Sequence, residues 1–122
     1  MELNKITEKI IGCCIEVHKQ LGPGLLESIY ESALCIEFQR NDILFERQKS
    51  LPVIYKGEKI GDFRIDLLVE DTIVVELKSV ERMDPVFEAQ ILSYMKLGTY
   101  KLGLLINFNS SLLKNGVKRF II

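Results

Sequence analysis

Asp66, Glu76 and Lys78 lie inside two largely apolar stretches near the middle of the chain, FRIDLLV and IVVELKSV. Both stretches are rich in aliphatic and β-branched residues, and Glu-Asp-Thr at 70–72 separates them, which predicts a β-hairpin. An acidic residue in a strand covered on both faces is costly unless it is paired or binds a metal. The two carboxylates and the lysine are therefore the first candidates for chemistry.

The length of the hairpin loop decides whether the two acids meet. A three-residue loop pairs Val69 with Ile73 and sets Asp66 opposite Glu76, whereas a two-residue loop would separate the two acids. In the three-residue register both apolar rows face one core, and the first of these rows is Phe63, Ile65, Leu67 and Val69. Directly paired carboxylates have Cβ atoms about 5 Å apart and repel each other. A cation between them would remove that repulsion, and Mg²⁺ is commonly held by one or two carboxylates with waters and substrate phosphates.

A simpler interpretation of the same residues stays open. Asp66 and Glu76 could be solvated residues on the polar side of a half-exposed hairpin, with Lys78 as a cross-strand partner, because half-polar strands are common. The isolation of these charges within apolar runs favours the metal site, with the lysine beside it.

Length and composition are those of an ordinary soluble globular domain. The chain has 122 residues, of which 48% are hydrophobic and 27% charged, so we expect one domain over residues 1–122. No apolar run approaches the roughly 20 residues of a membrane span, and the N-terminus lacks the apolar core of a signal peptide. We therefore expect a cytoplasmic protein without membrane contact. The net charge of −1 means that any basic, nucleic-acid-binding surface must be local.

The three cysteines and the histidine suggest no separate site. Cys13, Cys14 and Cys35 lie in apolar helical contexts without metal-binding spacing, so buried free thiols are expected. His18 falls near a helix end, where a lone histidine is more often structural than a ligand. A metal-storage or redox function is correspondingly disfavoured.

The remaining patterns supply the elements that would surround the hairpin. Helices are expected over 3–21, 25–40 and 85–97, strands over 44–55, 103–107 and 117–122, and the fold class is α/β (α+β). Glu27 and Glu31 lie one turn apart on the same side of the second helix, and Gln90 and Tyr94 have the same spacing on the third. Taken alone, Glu27 could simply favour the helix dipole, and Gln90 and Tyr94 could form a polar flank.

The arrangement of Asp66 and Glu76-Leu77-Lys78 in this element order resembles the PD-(D/E)XK nuclease superfamily. The segment VHKQLGPGLLESIYE, with Gly24, Glu27 and Tyr30, is similar to the signature of the GxxExxY protein family, which is assigned to that superfamily. Gln90 and Tyr94 resemble the QxxxY element of the RecB-like branch.

The resemblance implies a restriction-endonuclease-like core: a central mixed β-sheet with helices on both faces, in the order α-α-β-β-β-α-β-(β). It also implies that Asp66 and Glu76 hold Mg²⁺ or Mn²⁺ and that Glu27 is a third acid of the site. Lys78 would orient or deprotonate the attacking water. Gln90 and Tyr94 would border the site.

Two functions follow from these observations. The first is a metal-dependent nuclease acting on nucleic acid, with DNA favoured over RNA. The second is a catalytically weak nuclease-fold module that binds nucleic acid or a partner protein, which the net acidity and small size favour. Apolar helix stripes and an expected edge strand are compatible with a homodimer.

Overall fold

Residues 2–122, which a computed structural model describes, form three α-helices and a five-stranded sheet. The helices are α1 (Leu3–Leu21), α2 (Glu27–Arg40) and α3 (Pro85–Gly98). The strands are β1 (Phe45–Tyr55), β2 (Glu58–Val69), β3 (Ile73–Lys78), β4 (Leu102–Asn107) and β5 (Val117–Ile121), with a 3₁₀ helix (Leu113–Gly116) before β5. This is the predicted element order, and the predicted boundaries of the helices and strands are close to the observed ones.

The strands lie in the order β1-β2-β3-β4-β5 across the sheet. β3 and β4 are parallel and are joined by α3, whereas every other neighbouring pair is antiparallel. With α1 and α2 on one face and α3 on the other, the fold is the predicted mixed α/β architecture and is consistent with a restriction-endonuclease-like fold. None of the helices in the described part of the chain is both long and apolar enough to span a membrane.

The crossover helix α3 is positioned by its cap and by one glycine. The Val86 N–H donates to Asp84 Oδ1 at 2.9 Å, and Pro85 occupies the first turn, as predicted. At the far end of the helix, a Cβ placed on Gly103 of β4 would lie 2.7 Å from Met95 Sδ. The helix approaches the sheet this closely because position 103 carries no side chain.

Two hydrophobic cores lie on the two faces of the sheet. The α1/α2-side core contains buried residues of both helices and of the sheet, among them Ile10, Val17, Leu34, Phe38, Leu67, Val69, Ile73, Val75, Leu77, Leu104 and Ile106. The α3-side core is smaller and consists of Leu51, Ile65, Leu68, Val74, Ile91, Tyr94, Met95 and Leu105. β3 and β4 are covered on both faces, which explains their nearly continuous apolar sequence.

The prediction that Phe63, Ile65, Leu67 and Val69 share one face of the sheet is wrong. Ile65 packs in the α3-side core, whereas Leu67 packs in the α1/α2-side core. Strict alternation would place both side chains on one face, so β2 changes face between them, at Asp66. The β2 row is consequently divided between the two cores, whereas Ile73, Val75 and Leu77 of β3 all pack in the α1/α2-side core.

The cysteines and the histidine have structural surroundings. Cys13, Cys14 and Cys35 are free and buried, as predicted, and burial raises the pKa of the Cys13 thiol to about 11. His18 Nε2 lies 2.8 Å from the carbonyl oxygen of Ser110, so this side chain links the end of α1 to the segment after β4.

Candidate active site

The β2–β3 hairpin has the register that brings the two strand acids together. Val69 pairs with Ile73, and the ladder continues to Leu67 and Val75. This confirms the predicted three-residue loop. The next residues along the two strands are Asp66 and Glu76. Here backbone N–H groups donate to side-chain carboxylates instead of to backbone carbonyls of the facing strand.

Each of these two carboxylates accepts a hydrogen bond from the other strand. The Asp66 N–H donates to Glu76 Oε2 at 2.7 Å, and the Leu77 N–H donates to Asp66 Oδ2 at 2.9 Å. We call this reciprocal arrangement of Asp66 and Glu76 the carboxylate interlock. It fixes both side chains between β2 and β3, so two acids ten residues apart in sequence form one unit.

The electrostatics of the interlock are unfavourable for two negative charges. Burial, and then the charge of Asp66, raise the pKa of Glu76 to about 8. Burial also raises the pKa of Asp66, although the hydrogen bond from the Leu77 N–H opposes the shift. The pair therefore holds a proton near neutral pH unless a cation compensates its charge.

Lys78 lies two residues beyond Glu76, at the carboxyl end of β3. Its side chain is half-buried, and its ammonium nitrogen is 4.6 Å from the ring centre of Phe87. The positive charge is close enough to Asp66 and Glu76 to lower both pKa values. The structure thus brings all three residues of the predicted Asp66, Glu76, Lys78 group together.

The segment after Lys78 is tied to β4 and to the start of α2. The Asn107 side chain both accepts from the Val80 N–H and donates to the Val80 carbonyl oxygen, at 3.1 and 3.0 Å. Ser79 Oγ donates to the carbonyl oxygen of Leu25, just before α2 begins. These bonds fix the backbone that follows Lys78 and place the first turn of α2 beside this end of β3.

Glu27 and Glu31 of α2 have different surroundings. Glu27 is exposed in the first turn of the helix, beside the segment that follows Lys78. Glu31 is only 7% exposed, and its carboxylate accepts from Arg47 Nε at 2.6 Å and from the Gln48 side-chain amide at 2.8 Å. The same Gln48 amide nitrogen is 3.4 Å from Asp66 Oδ1. Glu31, rather than Glu27, is the helix acid that joins the hydrogen-bonded group around Asp66.

The sequence did not predict that Gln48 and Glu31 belong to the hydrogen-bonded group around Asp66. The spacing of four residues on α2 placed Glu31 on the same side as Glu27, which was a usable signal. Gln48 gave no signal, because a glutamine in an edge strand has no distinguishing pattern. What distinguishes Gln48 is its left-handed backbone conformation, with a φ of +53°, which only the structure shows.

α3 borders the carboxylate interlock through Tyr94. The Tyr94 side chain is buried, its ring centre is 5.3 Å from that of Phe63, and Gln90 lies beside its hydroxyl. Burial, followed by the charges of Glu76 and Asp66, raises the pKa of the phenol. The predicted pair on α3 is therefore adjacent to the acids, with Tyr94 inside the core and Gln90 exposed.

The chain matches a known protein family. The family model of the PD-(D/E)XK nuclease superfamily matches residues 4–120. The chain belongs to the PD-(D/E)XK nuclease superfamily. The match includes every residue of the candidate site, from Glu27 to Tyr94. Neither the comparison with curated proteins nor the comparison with solved structures gave a match.

Members of a nuclease superfamily are expected to bind a divalent metal, and the residues present fit one. Within residues 2–122 no group of three or more His, Cys, Asp or Glu side chains is arranged to hold an ion. The carboxylate interlock nevertheless offers two hard oxygen donors whose mutual repulsion a cation would relieve. Mg²⁺ is usually held by one or two carboxylates together with waters and substrate phosphates. Asp66 and Glu76 supply two such carboxylates.

Proposed function

We propose that the chain is a Mg²⁺- or Mn²⁺-dependent phosphodiester hydrolase acting on nucleic acid, with DNA as the favoured substrate. The observation that carries this proposal is the carboxylate interlock with Lys78 beside it, at the end of a strand buried on both faces. Three charged groups in such a position raise the free energy of the fold, and a metal-dependent reaction gives them a function.

Asp66 and Glu76 are the residues that would hold the cation, and Glu27 is the proposed third acid. Each strand carboxylate uses one oxygen for a backbone N–H, which fixes its orientation. The second oxygen of Asp66 faces the neutral amide of Gln48 at 3.4 Å, and a carboxylate oxygen can accept from more than one partner. When bound, the cation neutralises charge on the phosphate and makes water a stronger nucleophile at neutral pH.

Lys78 is proposed to orient the attacking water and to stabilise negative charge that develops on the phosphate. Its ammonium lies over the ring of Phe87 and near both carboxylates, which supports a role at the site. Tyr94 and Gln90 are proposed to border the phosphate-binding side of the same cleft. The ring of Tyr94 is fixed in the α3-side core, and the exposed Gln90 is available for contact with substrate.

We also propose a family and a branch of the superfamily for this chain. The Gly24, Glu27 and Tyr30 signature supports membership of the GxxExxY family, and Gln90 and Tyr94 support the RecB-like branch. A cytoplasmic location is proposed from the lack of a signal-peptide pattern, and a homodimer from the apolar helix stripes and the edge strand.

The test is cleavage of supercoiled plasmid and of a single-stranded oligonucleotide with Mg²⁺ or Mn²⁺. We expect nicking or degradation by the wild-type protein, and a loss of about 10²-fold or more in Lys78→Ala, the scale of a positioned proton-transfer group. Lys9→Ala, which changes an exposed lysine of α1, is the matched control and should keep full activity. Activity that survives Lys78→Ala unchanged would contradict the enzymatic proposal.

One observation favours the second function, a nuclease-fold module that binds nucleic acid or a partner protein without efficient cleavage. No three-ligand group is formed by the residues that the structure describes. If the wild-type protein cleaves nothing with either metal and yet binds oligonucleotide, the binding module becomes the better account.

A further inference from the structure

Gln48 interrupts the regular pairing of β1 with β2. The paired residues on either side are Arg47–Leu67 and Lys49–Ile65, with Gln48 and Asp66 between them. The backbone φ of Gln48 is +53°, a left-handed conformation that non-glycine residues rarely adopt within strands. Such a conformation costs free energy and persists only where the surrounding structure enforces it.

The side chain of Gln48 connects two carboxylates. Its amide nitrogen lies 2.8 Å from Glu31 Oε1 and 3.4 Å from Asp66 Oδ1. A side-chain amide nitrogen carries two hydrogens, so it can donate one to each acid. Gln48 is exposed, so it needs no partner for the stability of a core.

The other oxygen of Glu31 is occupied by an ion pair. Oε2 accepts from Arg47 Nε at 2.6 Å, and Arg47 is held further by Ser32 Oγ at 2.9 Å. With Oε1 bonded to Gln48, both oxygens of Glu31 have partners within the protein. Because Arg47 already compensates the charge of Glu31, we take Glu31 as an anchor for Gln48 rather than as a ligand for a cation.

We propose that Gln48 is a positioning residue for Asp66, held in turn by Glu31 and Arg47; this inference rests on the proposed function. Asp66 Oδ2 accepts from the Leu77 N–H and Oδ1 faces the Gln48 amide, so the carboxylate is fixed from two strands. A neutral donor fixes Asp66 without adding to the positive charge that Lys78 already supplies beside the two acids. The positive charge of Arg47 is paired with Glu31 instead. Outer-shell partners of metal-binding carboxylates commonly change metal affinity by 10–100-fold.

The test is the Mn²⁺ dissociation constant, measured by calorimetry, for the wild-type protein and two variants of Gln48. Gln48→Met keeps the length of the side chain and removes the amide. Gln48→Gly removes the side chain and accommodates the left-handed backbone without strain, so it stays folded if Gln48→Met does not. We expect both variants to bind Mn²⁺ about tenfold more weakly.

The matched control is Thr99→Gly, which changes another exposed residue with a left-handed backbone, at the far end of α3. It should bind Mn²⁺ like the wild-type protein. The nuclease activity of the Gln48 variants should recover when the Mn²⁺ concentration is raised in proportion to the loss of affinity, which a general structural defect would not show.

The failures of the two proposals are distinguishable. If the wild-type protein binds Mn²⁺, Asp66→Asn abolishes binding and Gln48→Gly binds normally, the positioning role is overturned and the metal site stands. If the wild-type protein binds no Mn²⁺, both the positioning role and the proposed function are overturned.

Discussion

The two halves of the β2–β3 hairpin are built from adjacent residues yet are held together differently. Near the turn, Leu67 to Val69 pair with Ile73 to Val75 through the backbone, and all six side chains are buried and apolar. One residue further from the turn, the carboxylates of Asp66 and Glu76 take over the hydrogen bonding. The turn half stabilises the fold, whereas the site half places charges where burial penalises them. The stability of this sheet is therefore not maximised at the point where the candidate catalytic residues lie.

The largest expected effect on stability comes from breaking the turn half. Leu67 is fully buried in the α1/α2-side core, so Leu67→Ala should lower the free energy of unfolding by about 2–5 kcal/mol, through lost burial and the cavity left behind. Guanidinium denaturation of the metal-free protein measures this. A cost below about 1 kcal/mol would mean that the turn half is not the stabilising half.

A smaller effect of opposite sign is expected in the site half. Glu76→Gln keeps an oxygen that can accept the Asp66 N–H but removes the charge. Because the folded-state pKa of Glu76 is raised from 4.5 to about 8, the folded protein holds this proton more tightly than the unfolded chain does. The contribution of Glu76 to stability is thus highest below about pH 4.5 and falls as the pH rises to about 8.

In the presence of a chelator, Glu76→Gln should therefore be more stable than the wild-type protein at pH 8, by on the order of 2 kcal/mol, and nearly equal to it at pH 5. Denaturant unfolding at the two pH values checks this. Equal or lower stability of the variant at pH 8 would show that Glu76 carries no burial penalty. With Mn²⁺ present, the order of the two proteins at pH 8 should reverse, because only the wild-type protein keeps both carboxylates.

Much of the fold could be predicted from the sequence because its signals are local. Apolar residues at three- and four-residue steps indicated α1, the Asp84-Pro85 pair indicated the start of α3, and the three-residue loop fixed the hairpin register. That register makes Asp66 and Glu76 the next residues on the two strands after the last ladder pair, Leu67 and Val75.

The face change at Asp66 and the group around Gln48 could not be predicted, because they depend on contacts between distant elements. Alternation in β2 suggested one apolar row, yet Ile65 and Leu67 pack into opposite cores. The choice of Glu31 over Glu27 as the partner of Gln48 depends on where β1 crosses α2. The sequence offers no rule for that crossing.

Whether Asp66 and Glu76 form a divalent-metal site can be measured by following the melting temperature of the metal-free protein at pH 8 as Mn²⁺ is added. A ligand that binds only the folded state stabilises it by about 2.7 kcal/mol at a concentration 100 times its Kd. We predict a rising Tm for the wild-type protein and a flat response for Asp66→Asn, which should remain folded. A wild-type Tm that does not change with Mn²⁺, or an equal rise in Asp66→Asn, would show that these two carboxylates do not form a metal site.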